Sequence, residues 1–151
     1  MLHHEAVKLY YNEGTSLSIL FSDGITKRYD VMDLAKSYKP LLALKDRKLF
    51  LKGELSLFSI TWTDELDMET ETVYCEGVKE KNREDAIEAL LAFQIKQARL
   101  KKELTQEGLS SISEIDQADI SKIENGKLSP TLNTIKRIAR ALDTTITLTI
   151  K

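Results

Sequence analysis

Between residues 104 and 132 the chain places short polar side chains at helical spacing. Gln117, Ala118, Ser121 and Lys122 share one face of a helix predicted over residues 116–124, while Ile120 and Ile123 face the other way. A helix of similar length, predicted over residues 105–112, precedes it and carries Gln106 in its first turn; Asn125 and Lys127 lie in the loop that follows. Two short helices joined by a tight turn can lay the second in the major groove of DNA, which admits one α-helix. The outer face is small and polar, as a face that hydrogen-bonds to base edges must be.

No other cluster carries an equally definite chemistry. His3 and His4 are adjacent, but no third ligand stands at useful spacing, so a solvated pair is expected. Asp64, Glu65, Asp67, Glu69 and Glu71 lack the Gly and the ligand spacing of a calcium loop and read as an acidic, solvated loop. Cys75 reads as a half-buried strand residue, and one cysteine makes neither an internal disulfide nor a Cys-based metal site. There is no Gly-rich phosphate loop and no Ser, His and Asp arrangement, so the expectation is no enzyme, no cofactor and no metal.

The elements that must position the polar face occupy the second half of the chain. From about Lys81 the pattern is helical: Ile87, Leu91, Ile95 and Ala98, with Leu90 and Phe93, keep to one broad face. Asp116 suits the N-cap of the 116–124 helix and Asp119 its third position, and Asn125-Gly126 ends it. Ser129 is expected to cap a fourth helix with Pro130 at its first position and Leu132, Ile135, Ile138, Ala139 and Leu142 as its buried stripe. Residues 144–151, from Thr144 to Lys151, alternate Ile146, Leu148 and Ile150 with threonines and read as a β-strand.

The first half has period two instead. Leu17, Ile19 and Phe21 alternate with serines; Asp23-Gly24 gives a hairpin signal in which both turn residues would take positive φ; Ile25, Lys27 and Tyr29 continue. Residues 31–45 are weakly helical and interrupted at Pro40, residues 48–52 read as a short strand, and Phe58, Ile60 and Trp62 mark another. The expected fold is an α+β domain of antiparallel strands over residues 1–80, followed by an all-α domain with a terminal strand over residues 81–151.

Composition sets the outer limits. With 151 residues, 42% hydrophobic and 30% charged, the chain is an ordinary globular one. Its net charge of −2 excludes a uniformly basic coat for nucleic acid. Residues 1–80 hold 10 basic and 14 acidic side chains, residues 81–151 hold 12 and 10, so the halves differ in sign. No run approaches the roughly 20 apolar residues that span a bilayer, and the first residues lack a signal-peptide pattern, so no membrane association and a cytoplasmic location are expected.

The run Leu104-Thr105-Gln106-Glu107, then Ile115 to Gly126, then Ser129-Pro130-Thr131-Leu132 resembles the Cro/cI-type (Xre) helix-turn-helix family, to which lambda repressor belongs. The resemblance covers about residues 95–142 and implies a lambda-repressor-like fold. It implies that Thr105 and Gln106 open a helix lying against the DNA backbone, that Gln106 contacts a phosphate and braces Gln117, and that Gln117 reads a base edge. Ala118, Ser121 and Lys122 complete the DNA-facing surface, Asn125 and Lys127 clamp phosphates, and Arg99 forms a structural ion pair with Glu124. Three positions depart from the pattern. Gly108 replaces a helix former, Glu114 stands where the turn commonly has Gly, and Ser113 replaces a core Leu, leaving Ile112 as the residue that could turn inward.

The first half resembles a small bacterial domain of unknown function that occurs alone or fused to Xre modules and has been linked to toxin-antitoxin pairs. Two functions follow as expectations. One is a sequence-specific regulator of double-stranded DNA, a repressor acting as a homodimer on a near-palindromic operator. The other is an antitoxin whose first domain binds a small basic protein encoded nearby. The terminal strand either joins the first domain's sheet or pairs with a second copy to make the homodimer, and an unpaired strand with one apolar face requires some such partner.

Overall fold

A computed structural model describes residues 3–147, and the chain divides into two compact units, Met1–Ala86 and Ile87–Lys151. In the first, β1 (Ala6–Tyr11), β2 (Ser16–Phe21) and β3 (Thr26–Asp30) lead into α1 (Val31–Ala35) and a 3-10 turn at Lys39–Lys45. Then come α2 (Arg47–Phe50), β4 (Glu54–Leu55), β5 (Ser59–Thr63), β6 (Leu66–Glu69), α3 (Thr70–Glu76) and β7 (Val78–Glu80). All pairing is antiparallel, in a sheet ordered β1-β2-β3-β7 and a smaller one ordered β4-β5-β6. Leu17, Ile19 and Phe21 of the central strand enter one core with Val31, Leu41, Leu44, Phe50, Ile60, Trp62 and Val73. Each such side chain contributes about 1.5–3 kcal/mol over its exposed state.

The hairpin between β2 and β3 uses one left-handed residue rather than two. Only Gly24 has positive φ (84°); its N–H donates to the Phe21 carbonyl at 2.9 Å, and the Phe21 N–H donates to the Ile25 carbonyl at 2.9 Å. That is a three-residue loop closed by a bulge, with Asp23 Oδ1 accepting from the Ile25 N–H at 2.9 Å. Gly53 is fixed by space: a Cβ there would come within 2.6 Å of the Tyr11 hydroxyl and 2.7 Å of Trp62 Nε1. Trp62 Nε1 donates to the Phe50 carbonyl at 2.8 Å, which joins the two pieces of chain around it.

Other expectations for this unit are corrected too. Residues 48–52 are not a strand, because Asp46 accepts from the Lys48 N–H at 3.0 Å and starts α2, which carries Phe50 into the core. Only Asp64 and Glu65 of the acidic stretch lie in an exposed turn; Leu66 and Met68 are buried in β6 while Asp67 and Glu69 alternate outward, and Glu71 lies in α3. Cys75 is exposed on α3, whose inward residue is Val73. His4 is tied down, its ring stacked 3.3 Å from that of Tyr74 and its Nδ1 3.0 Å from Glu71 Oε1. Near the end of this unit Asp85 pairs with Lys8 and accepts from the Tyr10 hydroxyl at 2.8 Å, so the unit reaches past the change in periodicity.

The second unit is helical: α4 (Ala86–Lys101), α5 (Gln106–Ser113), α6 (Gln117–Glu124) and α7 (Leu132–Ala141). Its core joins Ile95, Leu109, Ile115, Ile120, Ile123, Ile138 and Leu142. Of the face expected for α4, Ile95 enters this core and Leu91 and Ala98 pack against it, whereas Ile87 is 74% exposed; Ala92 and Arg99 are buried as well. The fourth helix starts later than Ser129: Thr131 Oγ1 accepts from the Thr134 N–H at 3.2 Å, and Leu132, first in the helix, is exposed. Residues 144–147 pair with no strand, and the rest of the expected terminal strand, residues 148–151, lies outside the described residues. Among the described residues no helix is long and apolar enough to cross a membrane.

The turn between α5 and α6 rests on Glu114, which takes the left-handed conformation (φ 58°, ψ 29°) that its position demands. Its carbonyl accepts from Arg137 Nη2 at 2.7 Å, and the next carbonyl, Ile115, accepts from Ser110 Oγ at 2.6 Å. An L-residue pays about 1 kcal/mol for that conformation, whereas Gly does not. Glu114→Gly is therefore expected to stabilise the unit by about 0.5–1 kcal/mol, seen as a rise of a few degrees in thermal midpoint by circular dichroism.

Candidate nucleic-acid interface

Local hydrogen bonding explains why the four elements meet as they do. Thr105 Oγ1 accepts from the Gly108 N–H at 3.0 Å and caps α5; Asp116 Oδ1 accepts from the Ala118 N–H at 2.8 Å and caps α6. Gly108 is less costly than its type suggests, because a Cβ there would sit 3.3 Å from that Thr105 oxygen. Ser113 is buried on the Leu109 side of α5, its Oγ accepting from the Ile115 N–H at 3.3 Å, and Ile112 does not turn inward: it is 54% exposed. One residue is a rotation of about 100° on a helix, too much for Ile112 to replace its neighbour.

Ile120 and Ile123 hold α6 to the core, which leaves Gln117, Ala118 and Lys122 exposed and Ser121 half-buried on its outer side. Lys122 lies 4.0 Å from Asp119. Asn125 turns its amide back onto the helix, Nδ2 donating to the Ser121 carbonyl at 2.8 Å. The loop then wraps over the helix end, with the Lys127 N–H donating to the Lys122 carbonyl at 2.8 Å and Gly126 at φ 68°. Lys127 itself is exposed.

A polar chain runs from the core to this face. Arg99 on α4 donates through Nε to Glu124 Oε1 at 2.6 Å and through Nη2 to Oε2 at 3.0 Å, while its Nη1 donates to the Leu104 carbonyl at 2.7 Å. The two side chains retain 9% and 1% of their exposure. The hydrogen bond with Glu124 raises the Arg99 pKa above its ordinary value despite the opposing effect of burial. Gln106 Nε2 also donates to Glu124 Oε2, at 3.0 Å, and Gln117 Nε2 donates to Gln106 Oε1 at 3.2 Å. Sequence reasoning placed Arg99, Glu124, Gln106 and Gln117 among the candidates but did not connect the pair to the glutamines. It also missed Ser110 and Arg137, which hold the turn by its carbonyls; Arg137 lies 23 residues from Glu114, and no local pattern marks the contact.

Residues 95–148 match the family described as Helix-turn-helix. The chain belongs to the helix-turn-helix family. Two structures of the restriction-modification controller protein C.Esp1396I, wild type and a point mutant, are each similar at 34% identity, covering 36% of this chain and 70% of theirs with a TM-score of 0.36. The protein NE0471 from Nitrosomonas europaea matches over 91% of this chain and 88% of its own at 15% identity and a TM-score of 0.42, too loose a likeness to carry any inference. No curated protein matches the chain. The helix-turn-helix unit makes this a DNA-binding transcriptional regulator of the Cro/cI (Xre) type. Among the described residues no group of three His, Cys, Asp or Glu side chains could hold a metal.

Removing one member of a buried ion pair strands the other. Glu124→Ala is expected to cost about 3 kcal/mol in urea unfolding.

Proposed function

We propose that the chain is a sequence-specific repressor that acts as a homodimer on a near-palindromic operator, with α6 in the major groove. The observation that carries this is the outer face of α6, with Gln117, Ala118 and Lys122 exposed, Ser121 half-buried between them, and Gln117 hydrogen-bonded to Gln106 at 3.2 Å. Gln117 reads a base edge, adenine being the bidentate partner of a Gln amide. Ala118, Ser121 and Lys122 flank it; Thr105 and Gln106 at the start of α5, and Lys127 beyond α6, meet phosphates. Asn125 acts chiefly by closing the C-terminal end of α6, since its amide is engaged there. The 34% identity to a protein named as a controller supports a regulator. A helix-turn-helix dimer binds half-sites about 34 Å apart, and residues 144–151 are the proposed contact between copies.

A second reading, an antitoxin that uses its DNA-binding unit for autoregulation, is favoured by the excess of 14 acidic over 10 basic side chains in residues 1–80, which suits a small basic protein. Retention of such a neighbour-encoded protein by the full chain separates it from the first.

Fluorescence anisotropy with fragments from around the chain's own promoter is expected to find a tight site whose affinity falls steeply as salt rises. Gln117→Ala should relax specificity at one position of the site, whereas Lys127→Ala should weaken all sequences about equally. Binding no tighter than to random duplex would refute the reading. In sedimentation the chain should run as a dimer that deletion of residues 144–151 converts to monomer.

A further inference from the structure

The first unit carries its charge unevenly. Residues 36–52 hold six cations, Lys36, Lys39, Lys45, Arg47, Lys48 and Lys52, against one acid, Asp46, whereas the rest of residues 1–80 holds 4 basic and 13 acidic side chains. The fold keeps these cations on the surface. The segment runs from the end of α1 through the 3-10 turn and α2 and lays Leu41, Leu44 and Phe50 into the core, which leaves all six cations exposed on its outer side. Asp46 is engaged as the cap of α2, accepting from the Lys48 N–H at 3.0 Å. Lys36 pairs with Asp33, and Arg47 donates to the Gly14 carbonyl at 2.6 Å and lies 5.3 Å over the Phe50 ring. Among the described residues, Lys39, Lys45, Lys48 and Lys52 meet no carboxylate within 4.0 Å.

Charges act over about 8 Å at physiological ionic strength, and a unit of this length is roughly 25–30 Å across. An anion at this face therefore senses mainly the charges nearest to it, which in this segment are six cations against one engaged carboxylate. Lysines without partners offer compact charge with little directional preference, which suits a row of phosphates better than one shaped ligand. We propose that residues 36–52 form a second DNA contact, which binds the phosphate backbone without regard to sequence and lies on the unit that does not carry the helix-turn-helix. DNA is favoured over other polyanions because the helix-turn-helix of the same chain holds duplex nearby, at an effective concentration that a separate partner does not reach. A lipid surface is disfavoured: α1, the 3-10 turn and α2 have five, seven and four residues, too short for the apolar face of an interfacial helix. The exposed Tyr38, Leu42 and Leu51 do not fall on one helix. The proposal rests on DNA binding by the helix-turn-helix and not on the reading of an operator or of Gln117.

The test is fluorescence anisotropy of the full-length protein with a random-sequence duplex several helical turns long, over a series of salt concentrations. Lys45→Gln with Lys48→Gln removes two charges from the face. Arg28→Gln with Lys79→Gln removes two from exposed strand positions of the same unit, so both variants have the same net charge. The face variant should lower the slope of log affinity against log salt by about 2 and weaken binding roughly tenfold or more near about 0.1 M salt, while the strand variant leaves the slope unchanged. If the face variant loses its thermal midpoint, Lys39→Gln with Lys52→Gln carries the same expectation and decides instead. A wild-type slope in the face variant overturns the proposal, and so does an equal fall in the strand variant, which marks net charge alone. Wild-type binding to phosphatidylserine vesicles that the face variant loses, with its DNA slope unchanged, makes the partner a lipid surface and also overturns it. A wild type that binds no duplex at any salt is a different failure: it removes DNA binding by the helix-turn-helix, and the proposal with it.

Discussion

The buried pair of Arg99 and Glu124 is the constraint on which the reading unit depends. One guanidinium meets three parts of the chain: it lies on α4, grips the last residue of α6 and donates to the Leu104 carbonyl just before α5. A lysine could not do this, since only the planar guanidinium offers parallel donors to a carboxylate and a further one at an angle. Burying two charges adds little net stability, because desolvation offsets most of the attraction. What the pair supplies is geometry. It allows one crossing of α4 and α6 and one path for the chain entering α5.

The size of the unit explains why polar links carry so much. Its core consists of Ile95, Leu109, Ile115, Ile120, Ile123, Ile138 and Leu142, five of them isoleucines, all touching through side chains that specify distance more than direction. Small cores bury a smaller fraction of their surface. Caps at Thr105, Asp116 and Thr131 and the two carbonyl contacts of the α5–α6 turn therefore fix where each helix begins and how the chain reverses. In α6 the acidic cap also has an electrostatic side: Asp116 and Asp119 sit at the positive end of the helix, where their charge is favoured.

Features governed by local chemistry were legible in the sequence. The cap of α6, the Asn125-Gly126 stop and the inward face of Leu17, Ile19 and Phe21 on β2 depend on residues within a few positions of one another, and the helix-turn-helix resemblance supplied the identity of the polar face. Failures came where two local signals competed or where the deciding contact was distant. Leu49, Phe50 and Leu51 suit a strand or a helix equally, and the side chain of Asp46 settles it. The acidic residues around Leu66 and Met68 disguised an alternating strand. The bond between Gln106 and Glu124, 18 residues apart, depends on the crossing of helices and leaves no trace in spacing alone. For Ser129 and Thr131 both chemistries were present, and the hydroxyl nearer the helical run formed the cap.

The left-handed Glu114 has a consequence for how this regulator can change. Altering the base preference proposed for α6 means substituting its residues, and most substitutions destabilise a small unit. A single codon step from glutamate to glycine at the turn would release stored conformational strain without touching the proposed DNA-facing surface. The protein thus holds a stability reserve outside the residues proposed to set specificity, and a lineage that draws on it first can tolerate a change at Gln117 or Ser121 that would otherwise unfold the unit.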